Sequence, residues 1–267
     1  MKNLTGVSII MPAYNAEKTI THSIDSVLKQ TYSSFELIVV NDASRDRTVE
    51  IVNEYVLSDH RVKLLDNEEN CGVSASRNRG VQAAQYEWIA FLDSDDCWVE
   101  NKLEKQVELI ALHPNCSLFF TGTGYMDEDG KLSAYTLHVP QTVTYRDILK
   151  QNVVSCSSVL AKRSALLAHP MPQKQMLHED MATWLEILKT DQVAMGIDEP
   201  LLLYRISRNS KSGNKLKAAK MQWRTYRHCK VPLHVSVVSF AIYAVRNIKK
   251  YGSIKKQAWQ ALSKEAE

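Results

Sequence analysis

With 267 residues, 45% hydrophobic and 24% charged, the chain is ordinary globular material, long enough for one large domain or a domain with an extension. Its five cysteines (Cys71, Cys97, Cys116, Cys156, Cys229) are odd in number and contain no Cys-x-x-Cys pair, so they suggest neither a disulfide framework nor a zinc site, and they fit a reducing cytoplasm. The opening apolar run Val7 to Met11 is too short for a signal peptide, and no apolar stretch reaches the roughly 18 to 20 residues that span a bilayer, so a protein that stays inside the cell is expected.

The net charge of +3 hides an asymmetry. Residues 1 to 200 hold 18 Lys+Arg against 28 Asp+Glu, a net of -10, whereas residues 201 to 267 hold 15 against 2, a net of +13. No acidic residue occurs from Leu201 through Lys264. A basic tail of this kind suits an anionic partner such as nucleic acid, an acidic membrane face or a phosphorylated ligand. The alternative is a solvated helical surface, although it lacks the glutamates that would form i,i+4 pairs.

In chain order, Val7 to Met11 reads as a strand. Ile20, Ile24, Val27 and Leu28 then recur on one face of a helix. Phe35 to Val40 is the next strand, ending at Asn41-Asp42, and a helix follows over about Arg47 to Val56. Val62 to Leu65 is a third strand, Ser74 to Ala84 a helix, and Glu87 to Leu92 a fourth strand. Four alternations of strand and helix predict an α/β fold, a mostly parallel sheet with helices on both faces, in which ligands bind beyond the carboxyl ends of the strands.

Three polar clusters fall at those ends: Pro12-Ala13-Tyr14-Asn15, Asn41-Asp42 and Asp93-Ser94-Asp95-Asp96. Packed carboxylates after a buried strand repel one another unless a positive group sits among them, and oxygen ligands of this density suit Mg²⁺ or Mn²⁺. An acidic surface turn is the plain alternative, and the convergence of the three clusters weighs against it. In Asn70 to Gly80, Gly72 permits a tight loop, Ser74 can cap the next helix and Arg77 offers a fixed guanidinium. His138, His169 and His228 show no ligand spacing, Gly122-Thr123-Gly124 lacks the rest of a dinucleotide fingerprint, and no P-loop motif occurs.

In this order the motifs resemble the nucleotide-binding half of the inverting family 2 glycosyltransferases of bacterial surface-polysaccharide synthesis, over about residues 5 to 205. The resemblance implies a GT-A fold with a catalytic domain over 1–210, divided into a nucleotide-binding half (1–100) and an acceptor-binding half (101–210), and a basic helical extension over 211–267. Pro12, Ala13, Tyr14 and Asn15 match the family's opening segment and with Glu17 form the wall around uridine. Asp42 matches the carboxylate that accepts the N–H of uracil. Arg77 matches the arginine near the base or diphosphate, with Ser76 where alanine is usual. Asp93 and Asp95 match the Asp-x-Asp pair, Asp95 as metal ligand and Asp93 nearer the ribose while sharing the metal; Ser94 between them joins the nucleotide site, and Asp96 supports it.

The same resemblance makes Asp180 of His178-Glu179-Asp180 the base for the acceptor hydroxyl, with Glu179 beside it, ahead of a helix whose apolar side carries Trp184, Leu185, Ile187 and Leu188. A carboxylate also favours positive charge developing at the anomeric carbon, and partial burial raises its pKa toward working pH. The simpler reading is that both acids favour a helix N-terminus. Arg205 and Arg208, in a segment similar to the loop over the diphosphate, are candidates for its charge or are part of the basic surface; the histidine often found near position 207 is Ser207 here. Direct displacement at C1 of an α-linked UDP-sugar would give a β-glycoside. The implied partners are a UDP-hexose donor, Mn²⁺ or Mg²⁺, a saccharide on undecaprenyl diphosphate and an anionic membrane surface, with no nucleic acid, at the inner face of the bacterial plasma membrane.

Residues Lys215 to Lys230 form a basic helix and Val231 to Val245 an apolar-rich segment followed by cations, either an interfacial helix on an anionic leaflet or a core helix packed on the catalytic domain. Two other functions compete. A sugar-1-phosphate nucleotidyltransferase would share the sheet and metal, but its glycine-rich N-terminal loop is missing. A non-catalytic membrane scaffold or nucleic-acid binder would use the tail alone, and the tail lacks aromatics interleaved for base stacking.

Overall fold

Every residue of Val7–Ala13 (β1) is buried, because strands flank it on both sides and helices cover both faces. In the computed structural model, which describes residues 6–173, 176–206 and 215–246, the side chains of β1 alternate between two cores. Ile10 points to one and Ile9 and Met11 to the other. The elements that follow are α1 (Ile20–Leu28), β2 (Phe35–Asn41), α2 (Thr48–Ser58), β3 (Val62–Asp66), α3 (Val73–Ala83) and β4 (Trp88–Phe91). Each lies within two residues of its expected bounds.

The second half continues with β5 (Cys97–Trp98), α4 (Lys102–Leu112), β6 (Leu118–Met126), β7 (Leu132–Leu137), β8 (Thr142–Val143), α5 (Tyr145–Lys150), a 3₁₀ turn at Cys156–Ser158, β9 (Leu160–Lys162), α6 (Arg163–Ala168), α7 (Glu179–Thr190), β10 (Ala194–Arg205) and α8 (Lys215–His228). Residues 233–246 form a further helix, α9.

The sheet runs β3-β2-β1-β4-β9-β6-β10-β5, with β7 added to β6 and β8 to β10. Its N-terminal half, β3-β2-β1-β4, is parallel throughout, and β10 is parallel to β6. Strand β9 is antiparallel to both β4 and β6 and so joins the two halves. The sheet is mostly parallel, as expected, with short antiparallel pairings mixed into its second half. The chain leaves β1 toward β2 and later returns to pair β4 on its other side. That reversal opens a crevice beyond the carboxyl ends of β1 and β4, where the clusters after Ala13 and Phe91 emerge.

Helices α1, α2 and α4 cover one face through Ile20, Ile24, Val27, Val52, Leu103 and Val107. Helices α3, α5, α6, α7 and α8 cover the other, and Trp184 and Tyr226 are fully buried there. The glycine pair in β6 has a packing reason: a Cβ at Gly122 would stand 2.7 Å from the Glu199 carbonyl oxygen, where the register of β10 shifts between Ile197 and Leu202. The basic helix expected over Lys215 to Lys230 is α8, and it packs on α7 while Tyr226 Oη donates to the Leu149 carbonyl of α5. Among the described residues no helix is long and apolar enough to cross a membrane.

Candidate active site

The loop after β1 is tied to the loop after β2. Asn15, at φ 50°, receives a reciprocal pair of bonds, its N–H donating to Ser44 Oγ (3.0 Å) and its Oδ1 accepting from Arg45 N–H (2.8 Å). Glu17 N–H donates to Asp46 (3.0 Å), and Glu17 accepts from Arg47 N–H (3.1 Å). Pro12 and Ala13 are buried inside β1, so only their main chain can meet a ligand, and the Ala13 carbonyl already accepts Asp42 N–H at 2.8 Å. The exposed side chain of this segment's aromatic is Tyr14, 49% accessible.

Asp42 ends β2 with its carboxylate turned inward. Oδ1 accepts from Asn67 Nδ2 (2.7 Å) and Cys71 N–H (2.9 Å), and Oδ2 from Gly72 N–H (2.8 Å). It thereby fixes the loop that enters α3, where Gly72 holds φ 86°, a conformation that costs other residues strain. The tight loop at Gly72 was legible in the sequence, but the bonds of Asn67, Cys71 and Gly72 to Asp42 were not, because the partners lie 25 to 30 residues away.

The acidic loop after β4 is held by two buried arginines. Arg77 Nη2 donates to Asp93 Oδ1 at 2.6 Å, and its Nη1 lies 3.7 Å from Glu179 Oε1. Arg77 is thus not the exposed guanidinium that a base or diphosphate would meet directly. It is 4% accessible and stands behind Asp93, linking the first-half acids to the N-terminus of α7. Burial alone would lower its pKa, but Asp93 and Glu179 more than offset that and hold it raised.

Arg205 also departs from its expected part as a diphosphate contact. Its Nε donates to the Asp95 carbonyl (2.8 Å) and its Nη1 to the carbonyls of Asp127 (3.2 Å) and Glu128 (2.9 Å), while its N–H donates to Asp96 Oδ1 (3.0 Å). A guanidinium committed to three carbonyls and 6% accessible braces the acidic loop. Arg208 and Ser207 lie outside the described residues.

Asp93 N–H donates to Ser157 Oγ (3.2 Å), and the Ser94 carbonyl accepts Thr19 Oγ1 (2.8 Å). Asp93 is a third exposed, Ser94 is half-buried and Asp95 is exposed. Crowding by the loop walls, then the charge of Asp93, raises the Asp95 carboxyl above its usual range. Asp96 is buried, and burial followed by Asp93 and Asp95 pushes it well up; its Oδ2 has no partner among the described residues. Tyr204 is raised by burial and then by the same three acids. No group of three or more His, Cys, Asp or Glu among the described residues could by itself hold a metal ion. Asp95 and Asp93 can supply two oxygen donors and leave the other positions to a ligand, which suits a hard divalent cation, and their mutual repulsion is what such a charge relieves.

Asp180 lies in the first turn of α7, and its Oδ1 accepts its neighbour Met181's N–H at 2.7 Å. Burial, then Glu179, raises its pKa, against the opposing effects of His178, Met181 N–H and Arg77. The buried Cys156 thiol, raised chiefly by burial, feels Arg77, Asp93, Asp180 and Glu179 together, so these groups share one electrostatic neighbourhood. His178, which precedes α7, donates its N–H to Thr225 Oγ1 of α8 at 3.0 Å. Ser157 and Thr225 were missed in the sequence because they act across 64 and 47 residues.

The model of the family described as "Glycosyl transferase family 2" matches residues 8–166. The "Putative teichuronic acid biosynthesis glycosyltransferase TuaG" of Bacillus subtilis is 39% identical over 91% of this chain and 96% of its own length. The "UDP-Glc:alpha-D-GlcNAc-diphosphoundecaprenol beta-1,3-glucosyltransferase WfgD" of Escherichia coli is 41% identical over 81% of this chain and 83% of its own. The fold is similar to S. aureus TarS 1-349 crystallised with UDP-GlcNAc, at a TM-score of 0.70 and 21% identity, over 90% of this chain and 70% of that one. A sheet reversal that gathers two acidic loops around a buried arginine, a family match over more than half of the sequence and near full-length relatives agree: the chain belongs to glycosyl transferase family 2.

Proposed function

We propose that the protein moves a hexose from a UDP-sugar to a hydroxyl of a saccharide on a lipid diphosphate, with inversion at the anomeric carbon, in the assembly of a surface polysaccharide. The observation that carries this reading is the contact of Arg77 with Asp93 (2.6 Å) and Glu179 (3.7 Å), which brings the donor-side acids beside the N-terminus of α7. The E. coli relative's name specifies the same donor class and acceptor class, and the TarS structure holds a UDP-sugar.

In this reading Tyr14, Asn15 and Glu17 flank the uridine, the main chain of Pro12 and Ala13 lines its floor, and Asp42 sets the loop around the base while keeping spare acceptor capacity on Oδ2. Asp93 and Ser94 meet the ribose side. Asp95, with Asp93, would hold Mn²⁺ or Mg²⁺, which when bound supplies positive charge against the diphosphate. Asp180 takes the acceptor's proton at a carboxylate oxygen; its raised pKa makes it a stronger base than an ordinary aspartate, and Glu179 keeps it so. The acceptor oxygen then attacks C1 as UDP leaves from the opposite face, and an α-linked donor gives a β-glycoside. Arg208 is proposed to add charge near the diphosphate. The expected location is the inner face of the plasma membrane.

The test is a panel of UDP-sugars with Mn²⁺, with Mg²⁺ and with chelator, scored by UDP release onto a lipid-linked GlcNAc acceptor and by thermal shift. One UDP-hexose should give acceptor-dependent UDP release that Asp180→Asn abolishes while donor-induced thermal shift persists. No thermal response to any uridine nucleotide would overturn the donor, and full activity of Asp180→Asn would overturn the base.

A further inference from the structure

Helix α9, over 233–246, has its polarity reversed. Its two serines face inward: Ser236 is fully buried and Ser239 is 5% accessible, and Ser236 Oγ bonds the Val231 and Pro232 carbonyls. Val235 and Phe240 complete the inner face, with Phe240 packed edge-on to Trp223 of α8. Outward stand Leu233 (62%), Val237 (53%), Val238 (60%) and Val245 (54%), joined by the exposed Ala241, with the exposed His234 the polar side chain among them. A water-facing helix normally places its serines out and its valines in, so this stripe is built for an apolar surround.

The exposed charges of α8, α9 and the turn between them are basic, among them Lys220, Arg224, Lys230 and Arg246, and no acidic residue occurs between Leu201 and Lys264. Two acids of other helices approach, Asp147 toward Arg246 and Glu186 toward Cys229, and each is paired with a lysine of its own helix, Lys150 and Lys189. An apolar stripe on a pair of helices with this basic excess matches the interface of an anionic bilayer, where the side chains enter the acyl boundary and the cations meet lipid phosphates. A protein partner with an apolar groove would match the stripe but gives no reason for the basic excess.

We infer that the outward face of α9 docks the protein on an anionic phospholipid surface. The inference deepens the proposed function and rests on it only for the purpose of docking, the meeting with a lipid-linked acceptor. Docking leaves the acid pair close to the surface-bound element, because α9 packs on α8 and α8 holds His178, two residues before Asp180, through Thr225.

The experiment is co-sedimentation of the full chain with phosphatidylglycerol-containing vesicles and with pure phosphatidylcholine vesicles, without donor or acceptor. The protein should bind the anionic vesicles, and more weakly as salt screens the cations. Val237→Ser combined with Val238→Ser, both on the exposed face, should lower partitioning by about tenfold through lost apolar contact, with thermal stability and UDP-sugar thermal shift unchanged. Absence of binding by the wild-type chain, or binding by the double variant equal to it, would overturn the inference. So would a concentration-dependent dimer that the double variant abolishes, since the face would then belong to a second copy. Failure here with intact UDP release would leave the proposed function standing, and binding without UDP release would remove that function and leave the docking face.

Discussion

Replacing Arg77 by methionine keeps most of the buried volume and removes the charge shared by Asp93 and Glu179. Breaking a buried ion pair on one side costs about 3–5 kcal/mol, because the remaining acid stays desolvated without a partner. Asp93 is a third exposed and Glu179 a quarter, so water takes up part of the loss and the lower end, about 3 kcal/mol, applies. At this chain length that corresponds to a fall in Tm of about 6 to 9 °C. Arg77→Lys keeps one charge but cannot fork to two acids and should fall between. Differential scanning calorimetry of the three proteins at neutral pH reads this directly. A Tm for Arg77→Met within about 2 °C of wild type, or one equal to that of Arg77→Lys, would show that Arg77 is a packing residue and not the link between the acidic loops.

Three further outcomes follow from the same structure. Glu179 raises the Asp180 carboxyl, so Glu179→Gln removes a like charge, lowers that pKa and moves the acidic limb of the kcat profile to lower pH; a limb that stays in place separates Glu179 from the base. Thr225→Val leaves His178 N–H without its acceptor and should lower kcat by roughly tenfold with little change in donor KM, whereas Thr225→Ser restores it; equal losses in both variants would argue for packing alone. Lys102 is fully buried over the Trp98 ring at 3.9 Å, with Gln106 as its hydrogen-bond acceptor, and burial holds its pKa well below the usual lysine value. The folded state therefore binds fewer protons than the unfolded chain, wild-type stability gains as pH rises toward the unfolded lysine pKa, and the Tm of Lys102→Met relative to wild type should decline between about pH 7 and pH 10; a difference flat in pH would sink this.

The parallel block was legible because each of its elements is long enough to show its period. Ile20, Ile24 and Val27 sit on one face of α1 and are all inaccessible, and β1 and β2 bury every residue, as continuous apolar runs require. The second half was not legible in the same way. Strands β5, β8 and β9 have two or three residues each, too few to show alternation, and the glycine pair of β6, weighed in the sequence only as a dinucleotide fingerprint, is explained by the close approach of β10. The acids Asp93, Asp95, Glu179 and Asp180 stood out in the sequence by their type and order, and the structure places them around Arg77 and the N-terminus of α7. Their neighbours did not stand out, because Arg205 meets Asp96 across 109 residues and Thr225 meets His178 across 47, and no local pattern encodes such pairs. The partners of the two arginines were hidden for the same reason. Sequence marks a guanidinium as available for phosphate, and only packing shows that its donors are already committed.

Those commitments differ in a way that defines the cleft's charge. Arg77 gives its guanidinium to carboxylates and so cancels charge, whereas Arg205 spends its guanidinium on main-chain carbonyls and offers Asp96 only an N–H. Five acids, Asp93, Asp95, Asp96, Glu179 and Asp180, therefore share one neutralising side chain fully and a second only at a distance. Burial, ahead of the neighbouring acids, raises the pKa of Asp96 and Asp180. Asp95 is the member left exposed. The exposed Asp95 beside the buried Asp96, whose Oδ2 has no partner among the described residues, leaves the loop with acid that its arginines do not fully offset, and a group arriving with positive charge would relieve that excess.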